Sequence, residues 1–280
     1  MIAAMGIWYA LSRKRYRIGG AIAVLGAVAT AISVKLVLPH YNEGASSSFY
    51  RRYGALGDSP GEILGTVFTD PGRLVDVAFD SEGLHYLADL LLPLVLLFAA
   101  APLVLIAAIP ELGLNLLSAT HTQSSIHHHY TAALIPPLMA ATVLGAGRLA
   151  RGEQRRAIVL AGIAVAAALV ANFRLGAIPL WRSLPGGSSY QAHMSHVSAH
   201  DRIAERALRL IPDSAVVSAT NSLGSHLSAR RRFLSFPRVQ GAEWIAADET
   251  QPGYADRWDP LATATDLARL RRSPDWRLVF

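Results

Sequence analysis

The stretch that decides the fold reads IGGAIAVLGAVATAISVKLVLP and occupies residues 18–39. It has 22 residues, and a helix needs about 20 apolar residues to cross the hydrocarbon core of a membrane. Its one charge, Lys35, lies near an end, where a long side chain can reach the lipid headgroups. Positive residues beside a span favour the cytoplasmic side, and RKRYR at 13–17 directly precedes this one. We therefore predict a span that begins inside the cell and ends outside.

The composition of the whole chain also predicts a membrane protein. Of its 280 residues, 52% are apolar and 16% are charged, whereas soluble domains carry about 25% charged residues. This balance excludes a disordered chain and a coiled coil. The chain has no cysteine, which excludes disulfides and thiolate metal sites. The net charge of +6 comes without a basic, aromatic-rich face, so we expect no nucleic-acid partner.

Several further apolar segments predict additional spans. Residues 84–117 are interrupted by prolines, so they form either one kinked span or two short ones. Two spans place the arginine-rich turn at 148–156 inside, as the positive-inside rule prefers, and we adopt that interpretation. The predicted set is a partial span near 1–12 and complete spans near 18–39, 84–100, 102–117, 130–149 and 157–180.

Outside these spans the pattern changes to that of a small soluble domain. Residues 40–83 form a predicted external loop, residues 183–199 a linker, and residues 200–280 strands that alternate with helices, which favours a parallel or mixed sheet. The predicted fold class is mainly α, a polytopic helical membrane bundle followed by a small α/β extracytoplasmic domain. The predicted core of that domain consists of Val216, Val217, Leu223, Leu227, Phe233, Leu234 and Ile245.

Two details of this domain are specific enough to test. Asn221 follows the predicted strand 215–220 and is a suitable N-cap for a helix that ends at Arg230. Residues 276–280 predict a last strand, whereas Asp248 and Glu249 are interpreted as surface charge. Residues 1–12 resemble the end of a helix and the last strand looks incomplete, so we expect the chain to be a fragment.

The histidines at 127–129, followed by Tyr130, are a first candidate site. They favour either a polar site for a phosphate or metal, or an interfacial loop with Tyr130 at the membrane boundary. Successive helical residues point about 100° apart, so three adjacent histidines cannot share one ion. We therefore predict no metal site.

Paired arginines form the second candidate site. Arg51 and Arg52, flanked by tyrosines, can bind a phosphate through bidentate hydrogen bonds. Alternatively, they can belong to an interfacial turn that binds lipid headgroups. Most acids of the loop 40–83 are expected to be solvated. Asp89 and Glu111 lie within apolar segments, where a carboxylate is costly and tends to be functional.

Four stretches resemble one known family. They read YRRYGALGDSPGEIL at 50–64, IPELGLNLLS at 109–118, HHHYTAALIPPL at 127–138 and IPDSAVVSATNSLGSHLSARRRFLSFP at 211–237. They resemble a bacterial family of predicted multi-pass membrane proteins, catalogued as a domain of unknown function and grouped with the GT-C glycosyltransferases. The resemblance implies a helical bundle that takes a sugar from a lipid-phosphate donor outside the membrane. It also implies a catalytic acid in an earlier external loop, so no residue here inherits that role.

The sequence therefore gives two functional hypotheses. The first is the C-terminal part of a GT-C-type glycosyltransferase of the cell envelope, with membrane lipids and a polyprenyl-phosphate sugar as partners and no particular cofactor indicated. Its predicted substrate contacts are Arg51, Arg52, His129 and Tyr130. The second hypothesis is a non-enzymatic membrane scaffold or transporter component.

Overall fold

The structure, a computed structural model, describes residues 1–41, 48–253, 256–257 and 260–280. The chain is mainly helical with one small parallel sheet, and it divides into two compact units, Met1–Ala192 and His193–Phe280. Part of the predicted external loop, residues 42–47, lies outside the described residues.

The first unit consists of helices. We number the α-helices in chain order: α1 Ile2–Arg13, α2 Tyr16–Tyr41 with a π-helical turn at Ser33–Val37, α3 Pro60–Thr69, α4 Pro71–Ala78, α5 Ser81–Leu91, α6 Pro102–Leu105, α7 Ile109–Leu116, α8 Ile135–Ala150, α9 Gln154–Leu175 and α10 Tyr190–Met194. Short 3₁₀ helices cover Ser48–Tyr53, Leu92–Leu94, Leu97–Ala100, His129–Thr131 and Pro179–Ser183.

Two of the described helices are long and apolar enough to cross a membrane. They are α2, with 26 residues and a mean hydropathy of 2.2, and α9, with 22 residues and a mean hydropathy of 2.1. Only 6% of the apolar window of α2 and 0% of that of α9 is buried inside the molecule. Their apolar side chains therefore face outwards, whereas the core helix of a soluble protein is mostly buried. Helix α8 is apolar but shorter.

Small residues let α1 and α2 pack closely. A Cβ added at Gly6 would meet the backbone of Ala23, one added at Gly19 would meet Ala10, and one added at Gly26 would meet the amide of Ala3. The contacts run in opposite directions along the two helices, so the pair is an antiparallel hairpin. The turn between them contains Lys14 in the left-handed conformation, with φ 53°.

The segment predicted as two short spans is broken into shorter pieces. Between α5 and α7 the helix is interrupted by 3₁₀ turns, and Val95 and Leu96 both have positive φ. The longest helix here, α5, has 11 residues, so continuous helices over 84–100 and 102–117 do not form. Prolines explain the breaks, because Pro93 and Pro102 cannot donate the backbone hydrogen bonds that a continuous helix requires.

The predicted external loop 40–83 is largely helical. Ser59, Asp70 and Asp80 each precede a helix and accept a hydrogen bond from a first-turn amide, those of Glu62, Arg73 and Gly83. A proline occupies the first turn of both α3 and α4. Ser-Pro and Asp-Pro at a helix start are recognised signals of a cap. The capping Asp70 and Asp80 are also exposed, as expected for the acids of this loop.

The second unit is a small α/β fold. It contains α11 Ala199–Leu208, α12 Asn221–Leu227 and α13 Pro260–Arg272, and the strands β1 Val217–Ala219, β2 Phe233–Ser235 and β3 Trp244–Ala246. The strands are all parallel in the order β2-β1-β3, and Val217 lies between Phe233 and Trp244. The prediction of a parallel or mixed sheet is confirmed.

The core of this unit was predicted in part. Val217, Leu223 and Leu227 are buried as expected, whereas the predicted Val216, Phe233, Leu234 and Ile245 are only half-buried. The core also contains residues that the prediction missed, namely Ile211, Ala215, Ala219 and Ala246. Alanines give no strong hydrophobic signal in a sequence, although they fit well where a sheet and its helices approach closely.

Three local predictions for this unit were wrong. Thr220, not Asn221, is the N-cap of α12, and the amide of Asn221 instead donates to both carboxylate oxygens of Asp256 at 2.9 Å. Helix α12 ends at Leu227, before Arg230, since the chain must turn to bring Phe233 beside β1. Residues 276–280 form no strand, and Leu278 is 76% exposed.

Candidate functional site

A buried arginine organises the polar centre of the first unit. Arg52 is 8% exposed, and its Nη1 donates hydrogen bonds of 3.1 Å both to Oε1 of Gln123 and to the hydroxyl of Tyr130. Its guanidinium carbon also lies 4.6 Å from the ring centre of Phe49 and 5.5 Å from that of Tyr130. Charge-assisted hydrogen bonds and cation–π contacts together compensate for the removal of this charge from water.

The network continues from Gln123 to a second tyrosine. Nε2 of Gln123 donates to the hydroxyl of Tyr53 at 2.9 Å and to the carbonyl of Leu114 at 3.2 Å. Burial raises the pKa of Tyr53, and this effect exceeds the opposing effects of the Gln123 hydrogen bond and the Arg52 charge. Tyr53 therefore remains a neutral phenol at physiological pH. We call Arg52, Tyr53, Gln123 and Tyr130 the arginine–tyrosine cluster.

A fully buried amide joins this cluster to the apolar core. Nδ2 of Asn115 donates to the hydroxyl of Tyr86 at 3.0 Å and to the carbonyl of Tyr130 at 3.3 Å. Its Oδ1 is buried and has no hydrogen-bond partner in the described part of the chain. Tyr86 packs with Leu134 and other buried residues, so the hydrogen bond of Asn115 to Tyr86 links the polar cluster to the hydrophobic core.

Three separate chain segments position the cluster. Arg52 lies in the 3₁₀ turn Ser48–Tyr53, and its carbonyl accepts from the amide of Ala119 at 2.7 Å. Asn115 projects from α7, and Tyr130 lies in the 3₁₀ turn His129–Thr131. Because the partners are 71 and 78 residues apart in sequence, local patterning could not have paired them.

The three adjacent histidines have different partners. The ring of His127 stacks on Tyr190 at 4.1 Å, and the ring of His129 lies 4.1 Å from that of Tyr130. Burial, followed by the neighbouring histidines, lowers the pKa of His128. Among the described residues no group of three histidine, aspartate or glutamate side chains is placed to hold one metal ion.

The four predicted contact residues differ in their exposure to solvent. Arg52 and Tyr130 are hydrogen-bonded to each other, and His129 is exposed with its ring against Tyr130. Arg51 is exposed, and among the described residues no hydrogen bond joins its side chain to the cluster. Sequence reasoning missed Gln123, Asn115 and Tyr53; an amide inside the apolar stretch IPELGLNLLS was the available signal for Asn115.

The two carboxylates singled out within apolar segments are both half-buried. Glu111 lies in the first turn of α7, one helical turn before Asn115, and its negative charge contributes to the raised pKa of Tyr53. Asp89 lies in α5. Glu111 is therefore the carboxylate with an electrostatic connection to the cluster.

The second unit has its own polar cluster at the carboxyl ends of its strands. Nε2 of His200 lies 2.7 Å from Oδ2 of Asp248, whose side chain is only 9% exposed. Partial burial acts to raise the pKa of Asp248, but hydrogen bonds from Gln251, His200 and Thr250 outweigh it and the pKa is lowered. The interpretation of Asp248 as surface charge was wrong, whereas Glu249 is exposed and pairs with Arg271.

Comparison with known proteins identifies the family. The family model described as "Predicted membrane protein (DUF2079)" matches residues 1–276. No curated protein matches the chain. No solved structure matches it either. The match covers both units and nearly the full length, including the two helices that are apolar enough to cross a membrane, and the chain therefore belongs to the predicted membrane protein family DUF2079.

Proposed function

We propose that the chain acts in a GT-C-type glycosyl transfer reaction of the cell envelope, in which it binds the phosphate and sugar of a polyprenyl-phosphate donor. In this proposal the protein crosses the membrane several times, and the arginine–tyrosine cluster and the second unit face outwards. The GT-C assignment rests on the motif resemblance, whereas the placement of the contacts rests on the geometry of the first unit.

The observation that carries the proposal is the hydrogen bond between the buried Arg52 and the half-buried Tyr130. Sugar-phosphate recognition requires a cation for the phosphate and hydroxyl or aromatic groups for the sugar. Arg52 holds the Tyr130 hydroxyl, and His129 presents an exposed ring on the same tyrosine. In the proposed complex Arg51, His129 and the hydroxyl of Tyr130 contact the ligand, and this hydroxyl donates to the phosphate. Arg52 positions Tyr130 and supplies positive potential that stabilises the leaving phosphate.

Glu111 is the half-buried carboxylate whose charge acts on Tyr53 of the same cluster. We assign no catalytic residue, because the resemblance places the family's acid in a different loop.

A lipid-binding assay tests the proposal. The purified full chain in neutral detergent is titrated with a polyprenyl-phosphate-linked hexose and, separately, with the corresponding polyprenol without phosphate. We expect tighter binding of the phosphorylated lipid, and Tyr130→Phe to weaken it by about tenfold, the value of one hydrogen bond to a charged group. Tyr16→Phe, which alters an exposed tyrosine, is the matched control. Equal binding of both lipids by the wild-type chain would overturn the proposal.

The second candidate function is a non-enzymatic scaffold or transporter component. One observation favours it. Arg52 already donates hydrogen bonds to Gln123 and Tyr130 of the protein itself, as an arginine with a purely structural role does. Membranes containing the chain, assayed for sugar transfer from labelled lipid-linked donors, separate the two. Donor binding or transfer that Tyr130→Phe weakens supports the first function, whereas membranes in which neither depends on Tyr130 support the scaffold.

A further inference from the structure

The turn between α8 and α9 contains a cleft that the proposed function does not use. It measures about 480 Å³ and is lined by Leu149, Glu153, Arg155, Arg156, Val159 and Leu160. Volumes of about 300–1,000 Å³ are typical of small-molecule sites. Charged and apolar side chains follow each other along the helix in this lining. Arg155 and Arg156 precede Val159 and Leu160 by four positions each, so the charges lie one helical turn from the apolar walls.

The turn is strongly basic. Residues 148–156 contain four arginines and one glutamate, a net charge of +3. Two of these side chains are held by the protein, because Nη1 of Arg148 donates to the carbonyl of Ala100 at 2.8 Å and Nε of Arg156 lies 2.7 Å from Glu153. The lining of the cleft itself contains Arg155, Arg156 and one carboxylate, Glu153, a net charge of +1, so the cleft attracts an anion.

The apolar walls select the kind of anion. Val159 is 53% exposed and Leu149 is 47% exposed, and no residue of α9 is buried. Because α9 is long and apolar enough to span a membrane, the natural neighbours of these walls are acyl chains. An inorganic phosphate would leave the walls uncovered, whereas a phospholipid covers them and places its headgroup at the arginines.

We propose that this cleft binds one anionic phospholipid, with its phosphate at Arg155 and Arg156 and an acyl chain along Val159 and Leu160. Charge complementarity and the one-turn offset between the arginines and the apolar walls carry the proposal. It is independent of glycosyl transfer, since the cleft and the arginine–tyrosine cluster share no residue.

Fluorescent phosphatidylglycerol, titrated into the full chain in neutral detergent, tests the site. We expect saturable binding of phosphatidylglycerol. Phosphatidylcholine and glycerol 3-phosphate should be poor competitors. Arg155→Gln with Arg156→Gln should weaken binding by roughly 30-fold, because each arginine near an anionic lipid contributes about fivefold. Arg155→Lys with Arg156→Lys keeps the charge and should retain most of the affinity. Val159→Trp, which fills the cleft without changing charge, should also weaken binding.

The matched control is Arg231→Gln with Arg232→Gln, which removes two exposed adjacent arginines from the second unit. We expect this variant to bind phosphatidylglycerol as the wild-type chain does. An equal loss in the control would show general electrostatic attraction and would overturn the proposal. Undiminished binding by the double glutamine variant at the cleft, or competition by glycerol 3-phosphate at the concentration of the lipid, would overturn it too.

Discussion

Two adjacent arginines in the first unit have opposite environments. Arg52 is 8% exposed and hydrogen-bonded to Gln123 and Tyr130, whereas Arg51 is exposed. Both lie in a 3₁₀ turn, which has about three residues per turn, so neighbouring side chains point about 120° apart. The sequence could predict an arginine pair, but the side that is buried depends on segments some 70 residues away.

The pair provides its own control for a stability measurement. Arg52→Met leaves the buried Gln123 and the half-buried Tyr130 without their donor, and we expect it to lower the free energy of unfolding by about 2–4 kcal/mol. Arg51→Met changes an exposed side chain and should cost less than about 0.5 kcal/mol. Thermal unfolding of both variants in detergent measures the difference. Equal melting temperatures would contradict the buried network.

Asp248 predicts a pH dependence for the second unit. Its pKa is lowered in the folded state, so the folded state prefers the carboxylate more strongly than the unfolded chain does. The resulting stabilisation is complete above the ordinary aspartate pKa of about 3.9 and is lost as the pH falls through the folded pKa. We expect the urea midpoint of this unit to decline in that acidic range.

Fluorine NMR of 5-fluorotryptophan at Trp244, which lies in β3, follows this transition in the full chain. Asp248→Asn should lower the midpoint at neutral pH and flatten its acidic decline. Asp275→Asn, which alters an exposed carboxylate near the end of the same unit, should leave the profile unchanged. A wild-type profile in the Asp248 variant would rule out this source of stability.

At the scale of elements, the α1–α2 hairpin depends on glycines at close approaches. The sequence predicted helical structure at both 1–12 and 18–39, because apolar runs identify helices directly. It did not predict that Gly6, Gly19 and Gly26 face the partner helix. Close packing through small residues is a common way for membrane helices to associate, and the side that packs is set by both helices together.

Gly19 and Gly20 separate packing from helix propensity. A side chain at Gly19 would collide with Ala10, whereas one at Gly20 would find nothing within 4 Å. We expect Gly19→Leu to destabilise the chain by about 1–3 kcal/mol or more through overpacking, and Gly20→Leu to be neutral or mildly stabilising. Thermal unfolding in detergent distinguishes them, and a neutral Gly19 variant would refute the hairpin contact.

One acid of residues 58–82 stabilises the start of a helix, a role that we did not predict from the sequence. Asp80 caps α5 by accepting from the amide of Gly83 at 2.7 Å. We predict that Asp80→Ala costs about 1 kcal/mol, the usual value of an N-cap, while Asp76→Ala within α4 has little effect. Urea unfolding provides the measurement, and equal midpoints would refute the cap.

At the scale of the whole molecule, long-range structure was predicted less well than local structure. Composition and apolar runs correctly predicted a helical membrane-family protein with a parallel sheet near its end. The partners of Arg52 were not predictable, since they lie 71 and 78 residues away in the sequence. The prolines that break the helix between α5 and α7 are, by contrast, visible in the sequence. The sequence therefore indicated some residues of the candidate site, but not the hydrogen bonds that join them.

The central proposal is that the chain crosses the membrane with its second unit outside and the α8–α9 turn inside. The chain has no cysteine, so single cysteines at Gly152 and Ser228 can be probed with a membrane-impermeant thiol reagent in intact cells. Both positions are exposed. The account predicts labelling at position 228 in intact cells, and labelling at position 152 only after permeabilisation. Labelling at 152 without labelling at 228 in intact cells would contradict it.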